Sequence, residues 1–152
     1  MNSISNSELK PFVILLVEDE AADAHLVKAA LTENHILADL QHVVDGREAL
    51  EFLRHEGPRF SAAPRPDLIL LDLNMPRMNG REFLAALKKD EALCGIPVVI
   101  LTTSESERDI VASYNLGAAG FITKPIDIAQ FIAVIGQLGD YWIKLVRLPK
   151  YR

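Results

Sequence analysis

The sequence predicts an α/β domain built on a parallel sheet, and three observations carry that expectation. Short apolar runs alternate with segments whose apolar residues recur at helical spacing. The strongest runs are apolar at every position, as strands are when helices cover both faces of their sheet. With 152 residues, 49% apolar and 24% charged, the chain has the length and composition of one globular domain rather than a disordered or fibrous segment.

In chain order, the first strand is Phe12-Val13-Ile14-Leu15-Leu16-Val17, too short for a helix and rich in strand formers. A helix over Ala22–Leu31 follows, with Leu26, Val27, Ala30 and Leu31 on one stripe. Leu37–Val44 is a less continuous second strand. Arg47–Arg54 is the second helix, grouping Ala49, Leu50 and Leu53. The stretch His55–Pro66, with Gly57, Pro58, Pro64 and Pro66, reads as a long loop before the third strand, Leu68–Leu71. Arg81–Lys88 forms the third helix around Phe83, Leu84 and Leu87, and Val98–Leu101 the fourth strand. Ile110, Val111 and Tyr114 suggest a short fourth helix, and Ala119–Thr123 a fifth strand. The fifth helix starts near Asp127, a suitable N-cap, and aligns Ile128, Phe131, Ile132, Ile135 and Leu138. Five strands alternating with five helices give three layers joined by right-handed crossovers.

Composition narrows the function classes. A net charge of −5 argues against a general nucleic-acid binder, which needs a basic face to displace phosphate counterions. No apolar run approaches the roughly 18 residues that span a bilayer, so no membrane partner is expected. The single Cys94 cannot form an internal disulfide and fits a reducing, cytoplasmic setting. His25, His35, His42 and His55 show no ligand spacing. The chain divides into a disordered polar lead-in (1–10), a domain (11–140) and an apolar C-terminal tail (141–152) containing Tyr141, Trp142, Ile143, Leu145, Val146 and Leu148.

Ligands of open α/β sheets bind beyond the carboxyl ends of the strands, so the residues closing each apolar run are the ones to inspect. The first run closes on Glu18-Asp19, the third on Asp72, the fourth on Thr102-Thr103 and the fifth on Thr123-Lys124-Pro125. Taken singly, each could be a solvated terminus or a cap. Together they put one polar group on each relevant strand end, at nearly equal intervals from Asp19 to Asp72 and from Asp72 to Lys124. Three carboxylates brought together repel unless a cation shares the site. An all-oxygen set suits a hard ion such as Mg²⁺. With a lysine and a hydroxyl beside it, the set suits phosphoryl transfer, with an aspartate as nucleophile.

These residues resemble the receiver domain of bacterial two-component response regulators. The matching text is Leu15-Leu16-Val17-Glu18-Asp19, then Asp67 through Pro76 with Asn79-Gly80, then Pro97 through Thr102, then Gly117 through Pro125. The resemblance implies a flavodoxin-like, doubly wound five-stranded parallel sheet in the order 2-1-3-4-5, with helices on both faces. It implies Asp72 as phospho-acceptor and Mg²⁺ held by Asp19, Asp72, the backbone carbonyl of Asn74 and, through water, Glu18. Thr102 and Phe121 would be the switch pair, Lys124 would pair with a phosphoryl oxygen, and Lys124-Pro125 would be cis. Asn74 and Ser104 sit where the family tunes acyl-phosphate hydrolysis. On this reading the chain is a signalling domain that catalyses only its own phosphorylation and dephosphorylation, with a histidine kinase as partner.

A narrower resemblance, in the segment before Pro66-Asp67, the Leu101–Ser104 stretch and the tail, is to the single-domain regulators that partner bacterial and cyanobacterial phytochromes. It implies a bacteriophytochrome kinase and a homodimer through the fourth helix, fifth strand, fifth helix and tail. The competing class is a Mg²⁺-dependent phosphohydrolase with an aspartate nucleophile. Such an enzyme places an acid two residues beyond the nucleophile, where this chain has Asn74. A nucleotide or flavin module is disfavoured because Glu18-Asp19-Glu20, rather than a glycine-rich loop, follows the first strand.

Overall fold

The computed structural model describes residues 12–73, 75, 77–103 and 117–135. Its strands are β1 (Phe12–Val17), β2 (Ala38–Val43), β3 (Leu68–Asp72), β4 (Val98–Thr102) and β5 (Gly120–Thr123). Its helices are α1 (Ala21–Glu33), α2 (Gly46–Leu53), α3 (Gly80–Lys89) and α4 (Ile128–Ile135). All strand pairs are parallel, and the sheet order is β2-β1-β3-β4-β5. The helix expected around Ile110–Tyr114, the lead-in, Asn74, Ser104, Leu138 and the apolar tail lie outside the described residues.

The period-two geometry of a strand explains why β1, β3 and β4 are apolar throughout. Leu15 and Val17, Ile69 and Leu71, and Val98 and Ile100 point to one face, where Leu50, Leu53, Phe83, Leu84 and Leu87 of α2 and α3 cover them. Ile14 and Leu16, Leu68 and Leu70, and Val99 and Leu101 point to the other, against Val27 and Leu31 of α1 and Phe131 of α4. Two cores therefore sandwich one sheet. β2 is an edge strand, half-buried over most of its length, which is why its apolar pattern is broken. Leu37 and Val44, included in the expected strand, fall outside it and are exposed.

One stripe differs from expectation. α1 buries Ala24, Val27 and Leu31, while Leu26 is 47% exposed. Positions 24, 27 and 31 follow the three- and four-residue steps of one helix face, and Leu26 stands about 100° round from Val27. The expected loop His55–Pro66 contains a short 3₁₀ turn at Pro58–Phe60. It inserts the ring of Phe60 edge-on to Phe52, with centroids 5.4 Å apart.

Local signals set the helix starts near the strand ends. Asp45 caps α2 by accepting from Glu48 N–H at 2.8 Å. Asn79 and Glu82 form a reciprocal capping box on α3, with bonds of 2.9 Å each way. Asp127 accepts from Ala129 N–H at 2.9 Å at the start of α4.

Candidate functional site

The sheet order reverses direction between β1 and β3, the position where open α/β sheets leave a crevice at their carboxyl edge. Glu18 and Asp19 leave β1 there, and Asp72 is the last residue of β3. Glu18 is fully buried, its N–H donating to Val43 O at 3.0 Å, and Asp19 is half-buried. Asp72 is 5% exposed and is still registered in the sheet, opposite Leu101 of β4. One carboxylate oxygen from each of Glu18, Asp19 and Asp72 falls within 4.8 Å of the other two.

Across the crevice, β4 ends on Thr102, which is buried, and β5 is followed by Lys124. The Lys124 N–H donates to Thr102 O at 2.8 Å, tying the two together beyond the last registered pair, Thr102 and Thr123. The Lys124–Pro125 bond is cis. The Lys124 ammonium reaches into the acidic cluster: Nζ is 2.9 Å from Glu18 Oε1, 2.9 Å from Asp23 Oδ2 and 3.6 Å from Asp72 Oδ2. Burial alone would lower the pKa of this lysine. The carboxylates of Glu18, Asp23 and Asp72 outweigh that and hold it well above the ordinary lysine value. Lys124 is therefore a fixed positive charge at every physiological pH.

The donor set fits a hard divalent ion. It is made of carboxylates alone, and the buried Oδ1 of Asp19 accepts no hydrogen bond. An orphaned, buried carboxylate oxygen carries a desolvation cost that a cation would remove. One ammonium against three close carboxylates also leaves the pocket net negative.

Of the residues singled out in the sequence, the structure brings Glu18, Asp19, Asp72, Thr102 and Lys124 to one edge. Phe121 lies on β5, half-buried against the α2/α3 core. Asn74 lies outside the described residues. Two features were missed. Asp23, in the first turn of α1, touches Lys124, yet in sequence it reads only as an acid favoured at a helix N-terminus. The segment after Asp72 is also held from outside: Arg77 Nε donates to Asp45 Oδ2 at 2.6 Å, and Gly46 N–H donates to Met78 O at 2.9 Å.

Comparison with known proteins joins this geometry to a family. The model of the response regulator receiver domain matches residues 14–136. The chain belongs to that family. This receiver is 41% identical over 146 residues to the response regulator Rcp1 of Synechocystis sp., spanning 96% of this chain and 99% of Rcp1. A crystal structure of Rcp1 in its Mn²⁺-bound form matches with a TM-score of 0.66 and 43% identity, over 87% of this chain and 95% of that one. The bacteriophytochrome response regulator RtBRR matches with a TM-score of 0.80 and 41% identity, over 88% of this chain and 81% of that one. The phosphorylated cyanobacterial phytochrome response regulator RcpA matches with a TM-score of 0.71 and 42% identity, over 88% and 95%. The receiver fold is thus common ground between this chain and its relatives. No helix among the described residues is long and apolar enough to cross a membrane.

Proposed function

We propose that this receiver works as a stand-alone regulator that takes one phosphoryl group from a histidine kinase onto Asp72. The observation that carries the reading is the meeting of the Glu18, Asp19 and Asp72 carboxylates within 4.8 Å, with the Lys124 ammonium among them. Mg²⁺ would be held by Asp19 and Asp72, by the Asn74 carbonyl and, through water, by Glu18. When bound it neutralises the phosphoryl oxygens and the carboxylates around them.

The residues of the chain do the rest. A carboxylate oxygen of Asp72 forms the new P–O bond as the P–N bond to the kinase imidazole breaks. The imidazole nitrogen keeps that electron pair and takes a proton from solvent, so no general acid is needed from the receiver. Lys124 offers an N–H to a phosphoryl oxygen as charge spreads over the transferring group. The Thr102 hydroxyl then moves onto the phosphoryl group, and Phe121 turns into the space it leaves. That movement repacks the face around β5 and so couples one modified side chain to a binding surface. The domain catalyses only its own phosphorylation and dephosphorylation.

The kinase docks along α1, where exposed Leu26 borders Lys124, Pro125 and Ile126. The likeness to RtBRR and RcpA supports a phytochrome kinase as the donor, and the apolar tail 141–152 supports a homodimer through the face around β5. In the presence of Mg²⁺ and acetyl phosphate, intact mass should show one added, hydroxylamine-labile phosphoryl group. Equal labelling of Asp72→Asn would refute the acceptor. Phosphotransfer from a panel of kinases, light-regulated ones included, tests the partner. Unchanged sedimentation after removal of residues 141–152 would take the tail out of the dimer.

A further inference from the structure

The ammonium of Lys124 has three N–H donors. Two carboxylate oxygens stand 2.9 Å from it, Glu18 Oε1 and Asp23 Oδ2, as ion pairs. Asp72 Oδ2, on the residue that would carry the phosphoryl group, is the third neighbour and stands off at 3.6 Å. The two close carboxylates differ in what else they face. Glu18 is fully buried inside the acidic cluster and shares it with Asp19 and Asp72. Asp23 lies outside that cluster, on the solvent side, its side chain 37% exposed against 12% for Lys124.

A lysine side chain has four rotatable bonds and loses roughly 1.5–2 kcal/mol of rotamer freedom when it is ordered. A group that orders the chain before phosphate arrives removes that loss from the transfer step. Glu18 is a poor sole anchor, because a cation in the cluster competes for the same carboxylate. Asp23 meets no such competitor and rises from the first turn of α1.

We propose that Asp23 is a positioning residue for phosphoryl transfer: its carboxylate holds the Lys124 ammonium beside Asp72, where an N–H can face the phosphoryl oxygens. The inference rests on the reading of Lys124 as the phosphoryl partner. Asp23 touches neither phosphate nor metal and acts only through Lys124.

The test is a double-mutant cycle on the full chain, with acetyl phosphate as donor at saturating Mg²⁺. Asp23→Asn should lower the second-order phosphorylation rate about fivefold, the equivalent of roughly 1 kcal/mol for a half-exposed charge pair. Asp23→Glu should recover part of the loss. In a Lys124→Ala background, Asp23→Asn should change nothing further. Without donor or metal, the ¹⁵N–¹H signal of the Lys124 ammonium should broaden in Asp23→Asn, while the affinity for Mg²⁺ stays the same. A wild-type or faster rate in Asp23→Asn, or an equal loss in both backgrounds, would overturn the proposal while leaving Lys124 in place. A wild-type rate in Lys124→Ala alone would remove the role of Lys124, and that of Asp23 with it.

Discussion

Arg77 and Asp45 meet at 2.6 Å, Nε to Oδ2. Asp45 is buried at the start of α2, whereas Arg77 is half-exposed and sits in the left-handed region at φ 61°. The pair binds the segment that follows Asp72 to a neighbouring helix. Removing the guanidinium leaves a buried carboxylate with one partner fewer, so Arg77→Ala should lower the urea midpoint of unfolding. Arg77→Gly should cost less than Arg77→Ala, because glycine accepts the positive φ without strain.

The same pair sets an acid limit. Burial pushes the Asp45 carboxyl up, but the bonds from Arg77 and the Glu48 N–H outweigh it and hold it below its ordinary value of 3.8. The unfolded chain therefore binds a proton more readily than the native one in this range. The stabilisation is fully present above pH 3.8 and is lost as the pH falls through the lower folded value. Asp45→Asn should flatten that part of the stability profile, read as the urea midpoint from pH 6 downward.

Gly80 opens α3 directly against the end of β3. A Cβ there would lie 2.5 Å from Asp72 O and 2.7 Å from Leu73 Cα, both backbone atoms that cannot swing aside. Gly80→Ala should destabilise by about 1–3 kcal/mol. Because the crowded atoms belong to Asp72 and its neighbour Leu73, the phosphorylation rate should fall in molecules that remain folded.

Metal binding should appear in stability before it appears in activity. With Mg²⁺ at 100 times its dissociation constant, the native state should gain about 2.7 kcal/mol. Asp19→Asn should weaken Mg²⁺ at least about tenfold, measured by the shift in the urea midpoint. If Asp19→Asn binds Mg²⁺ as the parent does, the orphaned Oδ1 is not a ligand atom.

Thr102 should separate switching from chemistry. Thr102→Val keeps the shape of the side chain and removes its hydroxyl. It should still accept a phosphoryl group on Asp72, but the aromatic NMR signals of Phe121 should no longer move on phosphorylation. A Phe121 response in Thr102→Val equal to the parent's would break the link between the two residues.

Much of this was legible in the sequence because it depends on local patterns. The unbroken apolar runs of β1, β3 and β4 reflect helices on both faces, and the polar residues that end them mark the crevice. β2 was harder to read because an edge strand is under weaker demand to be apolar. On α1, Leu26 looked like core but faces solvent, since hydropathy alone does not say which of two adjacent leucine and valine positions turns inward. Asp23 and the Asp45–Arg77 pair were hidden for a different reason. Each gains its meaning from a partner distant in sequence, and a lone acid on a helix carries no sign of the cation it will meet.

The parallel order β2-β1-β3-β4-β5 has a consequence for how the protein reports on itself. Asp19, Asp72, Thr102 and Lys124 come from four strand ends that only the assembled sheet draws together, so no single hairpin or helix can form a partial site. A chain caught half-folded lacks the assembled cluster. Under the proposed function, phosphate accepted at this edge would count intact molecules along with the signal.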